Sequence, residues 1–328
     1  MLLRDYVCYW YMTYKQPKHQ KNTQETYLSY IHTHICPSDL GAMEMAEIRV
    51  GDVQGFLSEL LLRGNKCPIA SVGSFGNPLS RWTVTKIRQI LISAFKHAIK
   101  EGVIDKNPVA DTEPVSARWS KGPVFLPDVQ KKFLQATRGH RFYTAYVLLF
   151  FLGLRREELL GLSWNQVDLR RNELVIQQVL VMEGRKPVLR ESTKTKTSLR
   201  VIPFPQEIKC LLMDWKKKQM EEKATVTGWQ NPHNLVFTNR DGSLHNPVYF
   251  SRNFKNVVRR LDFCDNRLHV HSARHSWATN MVQSNAALTD IQSLGGWSRP
   301  DVLLNIYAHT VKKSQRKAMK KLYDELNS

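Results

Sequence analysis

Ten consecutive apolar residues, AYVLLFFLGL at 145–154, constrain this chain more than any other feature. The run is about half the ~20 residues that a membrane-spanning helix needs. The protein must therefore bury it, as a core helix around which a globular domain packs. The chain has 328 residues, more than one domain usually holds, so two domains of unequal length are expected. Its N-terminus, MLLRDYVCYWYMTYK, breaks its apolar part with Arg4 and Asp5 and offers no small-residue cleavage site, which argues against a secretory signal. Cys8, Cys36, Cys67, Cys210 and Cys264 are odd in number and scattered, with no CxxC pair. That pattern argues against a disulfide framework or a thiolate zinc site and for reduced cytoplasmic thiols. Lys and Arg number 48 against 29 Asp and Glu, a net charge of +19 that favours a polyanionic partner, nucleic acid first.

The first third reads as helical. Leu3, Val7, Trp10 and Tyr14 recur at helical spacing, Asn22 with Glu25 forms an N-cap pattern, and Asp52–Leu62 reads as a third helix. In Trp82–Lys100 the residues Val84, Ile87, Leu91, Ala94 and Ala98 form one apolar stripe, with Gly102 as the stop. The proline-rich text between Asn107 and Pro127 has the composition of a linker, placed at 113–121. Beyond it, helices are expected at Asp128–Ala136 and Tyr143–Leu152, and a charged one opening at Arg155. Three short strands follow, in ELVIQQVLVME, KPVLR and LRVIPF, and helices return from Pro205 except at the strand-like NLVF, 234–237. The fold class is mostly α with a small antiparallel β-sheet, in two domains.

Several residues could carry chemistry. Arg155 shares a helical face with Leu159 and Leu162, and Glu158 stands at i+3 to pair with it, which on spacing alone reads first as a structural Arg–Glu pair at a helix start and only second as a functional one. Periodicity does not separate Arg155 from Arg156. In HVHSARHSW, His271 and Arg274 share a face, a plausible clamp for phosphate oxygens, or His271 is a hydrogen-bonded core histidine. His271 and His275 have the i, i+4 spacing of a helical zinc pair, but the glutamate of H-E-x-x-H is Ser272 and Arg274 lies between them, which excludes a metal there. Lys194 and Lys196 sit on a Thr-rich turn of the kind that is usually solvated. In LGGWSRPDVLLNIYAHTVKK, Ser298 and Asp301 form a capping-box pattern and Tyr307 follows at core-helix spacing.

Taken in order, these segments resemble the tyrosine recombinase family, the phage-integrase type, over nearly the whole chain. GLRREELLGLSWNQVDL looks like the family's first arginine box, which places the catalytic arginine on Arg155 and the acidic residue on Glu158. TKTKTSLRVIP is similar to the β-hairpin that carries the catalytic lysine, pointing to Lys194 with Lys196 as the alternate. HSARHSWAT looks like the second box, placing roles on His271 and Arg274, with Ala273 where leucine is usual. GGWS matches the family's His-or-Trp position at Trp297, and NIYAHT, ten residues on, its nucleophile segment at Tyr307. TVTKIRQILISAFKHAIKEGVIDKNPV is similar to the core-DNA-binding domain of the same enzymes.

The resemblance implies a helical, SAM-like core-DNA-binding domain at 1–112 and a catalytic domain at 122–328. It implies strand breakage through a covalent 3′-phosphotyrosine, with no cofactor, metal or nucleotide. Double-stranded DNA bearing core sites is the implied substrate, with a tetramer of the chain on paired sites and an excisionase or host DNA-bending protein as further partners. The setting is the cytoplasm of a prokaryote, on the nucleoid, and the DNA would belong to a phage or other mobile element. Many such integrases carry a further arm-binding domain, whereas this sequence starts almost directly at the core-binding one, implying simple sites or a truncated frame. A type IB topoisomerase-like nicking enzyme and a catalytically silent DNA-binding protein of the same fold are the alternatives. The six filled positions speak against the silent form, and the lysine segment and N-terminal domain against the topoisomerase. The basic residues Lys312, Lys313, Arg316, Lys317, Lys320 and Lys321 form a solvated face, a DNA contact or a contact with a neighbouring protomer.

Overall fold

The computed structural model describes residues 1–64, 76–115, 122–191 and 199–300, with 320 and 323–324. The chain divides into two compact units, Met1–Ser120 and Lys121–Ser328.

The first unit is helical, with α1 (Leu3–Trp10), α2 (Lys21–Tyr30), α3 (Val50–Arg63) and α4 (Arg81–Lys100) around one core. The stripe on α4 is fully buried, Ser80 caps its start by accepting from the Thr83 N–H at 3.1 Å, and Gly102 leaves it with φ +70°. Two details depart from the periodic reading. α1 continues into a π-helical turn, Tyr11–Lys15, whose extra residue shifts the buried face. Tyr11 is therefore fully buried while Tyr14 is only half-buried. α2 starts at Lys21 after an uncapped Gln20, so Asn22 lies inside the first turn rather than at the cap. Residues beyond 112 still pack on this unit: the Glu113 N–H donates to Gln54 Oε1 at 3.0 Å, and Thr85 Oγ1 to the Val115 carbonyl at 3.2 Å.

The second unit has α5 (Pro127–Ala136), α6 (Tyr143–Leu152), α7 (Arg156–Gly161), α8 (Gln206–Thr225), α9 (Pro247–Arg260), α10 (Val270–Gln283) and α11 (Leu288–Gly295). α6 carries the apolar run. It packs against α5, α7, α8 and α10, so burial on nearly every side explains why its sequence shows no polar stripe. Phe125, Phe133, Tyr146, Phe150 and Phe254 pack mutually at 4.9–6.0 Å in mostly edge-to-face pairs, the core of this unit. No helix among the described residues is long and apolar enough to cross a membrane.

The strands differ from the expected three. ELVIQQVLVME is broken at Gln177 into β2 (Glu173–Ile176) and β3 (Gln178–Glu183). β2 lies between the two-residue β1 (Val167–Asp168) and β5 (Arg200–Pro203), whereas β3 pairs with β4 (Lys186–Glu191), all antiparallel. The end of α7 forces the break. A Cβ on Gly161 would come within 2.8 Å of the Val179–Leu180 backbone, and Gln178 Nε2 donates to the Gly161 carbonyl at 2.7 Å. The strands on either side of residues 192–198 belong to different sheets: Glu191 on β4 pairs with Gln178, and Arg200 on β5 with Ile176. NLVF is a bent passage rather than a strand, with Asn234 at φ +50° and one bridge, Leu235 to Ser163. Leu235, Val236 and Phe237 are all buried, so the two-residue alternation of a half-exposed strand is missing.

Candidate active site

The left-handed Gly153 ends α6 at φ +62°, where a Cβ would meet the Trp277 ring at 2.4 Å. Three residues later the chain enters α7, only six residues long and too short to persist unaided. Glu158 holds its start: Oε2 accepts the Arg155 backbone N–H at 2.9 Å, and Oε1 accepts Arg155 Nη1 at 2.6 Å. Arg155 is therefore the cap residue, with extended backbone, and does not share a helical face with Leu159 and Leu162 as its spacing suggested. The same geometry separates it from Arg156, which pairs with Glu157 and donates to Ser251 Oγ at 2.8 Å on α9.

Glu158 is 2% exposed and saturated. Arg200 reaches it from β5 with Nη1 to Oε1 at 3.0 Å and Nη2 to Oε2 at 2.8 Å, so both oxygens accept twice. Burial alone would raise its pKa, but the bonds and charge of Arg200, then Arg155, bring it down to about 2. Arg200 is absent from the expected site residues. The signal for it was alternation: in β5, Arg200 shares the buried face with Ile202 while Val201 is half exposed.

The three guanidiniums converge on the C-terminal end of α11. Arg200 Nε donates to the Leu294 carbonyl at 2.6 Å, Arg274 Nη2 to that of Gly295, and Arg155 Nη2 to that of Gly296 at 2.6 Å. These are carbonyls a helix end leaves without partners and with partial negative charge. Arg274, on α10, also donates to the Gly153 carbonyl at 2.6 Å and is 1% exposed. Burial and Arg155 pull its pKa down to about 9, still charged at neutral pH. Trp297 lies flat over it, 4.0 Å from ring centre to guanidinium carbon, and stacks on Trp277 at 6.0 Å. Gly295 makes room for that ring, since a Cβ there would stand 1.9 Å from it.

His271 and His275 meet edge to face on α10 at 4.6 Å. His271 is open to solvent in a cleft of about 250 Å³ that it lines with Leu154, Arg156, Ser251 and His269. The protein packed around it, then His275 and Arg274, bring its pKa down to about 4, so its ring is neutral at pH 7. His275 is lowered by burial and Arg274. Among the described residues the cluster holds three guanidiniums against one carboxylate, an excess of positive charge beside a neutral imidazole. Such a site suits a phosphodiester anion: fixed cations bind its oxygens, and the imidazole takes or gives a proton. Lys194, Lys196, Tyr307, the Asp301 part of the capping box and the basic tail other than Lys320 lie outside the described residues.

The sequence profile of the phage integrase family matches residues 124–314, and that of the phage integrase N-terminal SAM-like domain matches 2–61. A tyrosine recombinase XerC-like protein of Caldanaerobacter subterraneus subsp. tengcongensis is 26% identical over 315 residues, covering 91% of this chain and 76% of that protein. The ICEBs1 integrase of Bacillus subtilis is 26% identical over 252 residues, 76% of this chain and 67% of its own length. In fold, the chain is similar to the Tn1549 transposon integrase in complex with transposon right end DNA. Their TM-score is 0.81 at 21% identity, with 98% of this chain and 100% of the other covered. With its integrase profile spanning more than half of its length and holding the whole arginine cluster, the chain belongs to the phage integrase family, the tyrosine recombinases.

Proposed function

We propose that this chain, a site-specific tyrosine recombinase, cleaves and rejoins double-stranded DNA at core sites of a mobile element, with Tyr307 as the nucleophile. The observation that carries the reading is the convergence of Arg155, Arg200 and Arg274 on the turn that leads into Trp297, ten residues ahead of Tyr307. The Tyr307 oxygen attacks the scissile phosphorus as the bond from phosphorus to the 5′ oxygen breaks. The phenol proton goes to the neutral His271, and Lys194, or Lys196 in its place, protonates the departing 5′ oxygen. Arg155 and Arg274 bind the non-bridging oxygens, and Trp297 flanks them. Burial first, then His275 and Arg274, hold the His271 pKa down, and the negative charge of a bound phosphate opposes that shift. Glu158 and Arg200 are positioning residues, and His275 packs against His271. Ligation runs the same steps in reverse, with a DNA 5′-hydroxyl displacing the tyrosine.

The helical N-terminal unit grips the core site together with the second unit, the chain acts as a tetramer on paired sites in the cytoplasm, and an excisionase or DNA-bending protein sets direction. The names of the relatives, recombinase, integrase and transposase, and a neighbour in complex with DNA support DNA as the partner. A nicked suicide duplex carrying the core site should trap a covalent protein–DNA adduct, and Tyr307→Phe should abolish it. An adduct that persists in the Phe variant moves the nucleophile elsewhere. Relaxation of any supercoiled plasmid, without strand exchange between sites, would instead make the enzyme a topoisomerase.

A further inference from the structure

The sequence pattern gave no reason to place a metal in the N-terminal unit, because no two cysteines stand at CxxC spacing. Folding brings three donors together there. Cys8 lies on α1, while His32 belongs to the π-helical turn Ile31–Ile35 that continues α2, and Cys36 caps that turn. Their ligand atoms all lie within 4.8 Å of one another, and the two sulfurs are 3.7 Å apart. A separation of 28 residues hides the sulfur pair from any reading along the chain.

We propose that Cys8, His32 and Cys36 bind one zinc-class divalent cation, with a fourth position for water. Zinc–sulfur bonds of about 2.3 Å at a tetrahedral angle set two sulfurs ~3.8 Å apart, which the pair already matches, whereas a disulfide needs about 2.05 Å. Two thiolates and an imidazole form a soft donor set that selects zinc over magnesium or calcium. His32 and Cys36 stand four residues apart on one turn, and the Cys36 N–H donates to the Ile31 carbonyl at 2.9 Å, an i to i+5 bond of the kind that often marks a functional site. The sulfurs are half-buried and His32 is exposed, so a cation can enter from solvent. Binding releases the thiol protons to solvent as the sulfur–metal bonds form. The bound ion ties α1 to the turn after α2, so metal loading stabilises the N-terminal unit. The proposal does not depend on the roles assigned to Tyr307 or the arginines.

The full-length chain, purified reduced and metal-free under argon, is titrated with cobalt(II) as a coloured stand-in and then with zinc. The expected result is one equivalent of cobalt with a thiolate-to-cobalt charge-transfer band that zinc bleaches, and a melting temperature of the N-terminal unit that rises with one equivalent of zinc. Cys8→Ser and Cys36→Ser each abolish the band, and His32→Ala, a change at an exposed side chain that leaves the fold intact, weakens binding at least tenfold. Cys210→Ser, at an exposed cysteine of the second unit, leaves it unchanged. The absence of a cobalt band in the wild type, a band that survives in the folded His32→Ala variant at full affinity, or a Cys8–Cys36 disulfide in protein isolated without air overturns the proposal.

Discussion

Replacing Arg200 with Ala removes two charge-assisted bonds, at 2.8 and 3.0 Å, from a carboxylate that is 2% exposed, and a third from the Leu294 carbonyl. Breaking one side of a buried pair costs about 3–5 kcal/mol when the remaining charge is left alone. Glu158 keeps Arg155, so the expected loss is smaller, about 2–3 kcal/mol. The pKa points to the same scale: a fall from 4.5 to about 2 equals about 3 kcal/mol of preference for the ionised form in the folded state. Scanning calorimetry of the second unit, some two hundred residues, should show its transition lowered by about 4–12 °C at pH 7. A depressed carboxylate pKa stabilises the fold above the unfolded value and loses that contribution as pH falls through the folded one. The gap between wild type and Arg200→Ala should therefore hold from pH 7 to about 5 and narrow as pH falls from there toward 2. Transitions within about 1 °C at pH 7, or a gap that widens in acid, would refute the argument, and Arg200→Lys should fall between the two proteins.

Gly153→Ala adds a Cβ 2.4 Å from Trp277 at φ +62°, and the overpacking and left-handed backbone together should cost about 2–4 kcal/mol in urea unfolding; a loss below about 1 kcal/mol contradicts it. Gly295→Ala drives the Trp297 ring off the Arg274 guanidinium, so tryptophan emission should shift and DNA cleavage fall at least tenfold, and unchanged cleavage would show the stacking to be dispensable. The His271 ring should titrate by NMR with a midpoint well below 6 in the DNA-free protein. Because its folded pKa lies under the unfolded 6.5, its neutral form stabilises the fold above that value and the contribution disappears as pH falls toward about 4; a midpoint at or above 6.5 disproves the crowding described. DNA affinity should drop about a thousand- to a hundred-thousand-fold between roughly 50 and 200 mM salt if the clamp neutralises six to ten phosphates, and a flat response would show that the +19 charge is not engaged.

The helices of this fold were legible where burial is periodic or complete. The α4 stripe announces one buried face, and the all-apolar α6 announces a helix enclosed by others. Strand boundaries were not legible at Gln177, because both halves of ELVIQQVLVME are equally apolar and the break comes from α7 pressing on the strand. Local pairing made Arg155 and Glu158 visible at i, i+3, yet their third partner sits 42 residues beyond Glu158 on another element. Arg200 was hidden by its type, since a lone arginine in a strand is expected to face water. Spacing read along one helix also misled at Arg155, which is a cap with extended backbone.

The ending of α11 has a consequence for how substitutions combine. Leu294, Gly295 and Gly296 each surrender their carbonyl to a different arginine, so the three arginines share one acceptor turn and form a single epistatic unit. Losing the first loosens the turn and already weakens the seats of the other two. The second loss then costs less than it would alone, and measured effects will not sum. An alanine at any of these positions frees a helix end as well as removing a cation. Single-site rate deficits therefore overstate what each guanidinium gives to the chemistry, and a paired change in arginine and turn is the only clean way to separate the two.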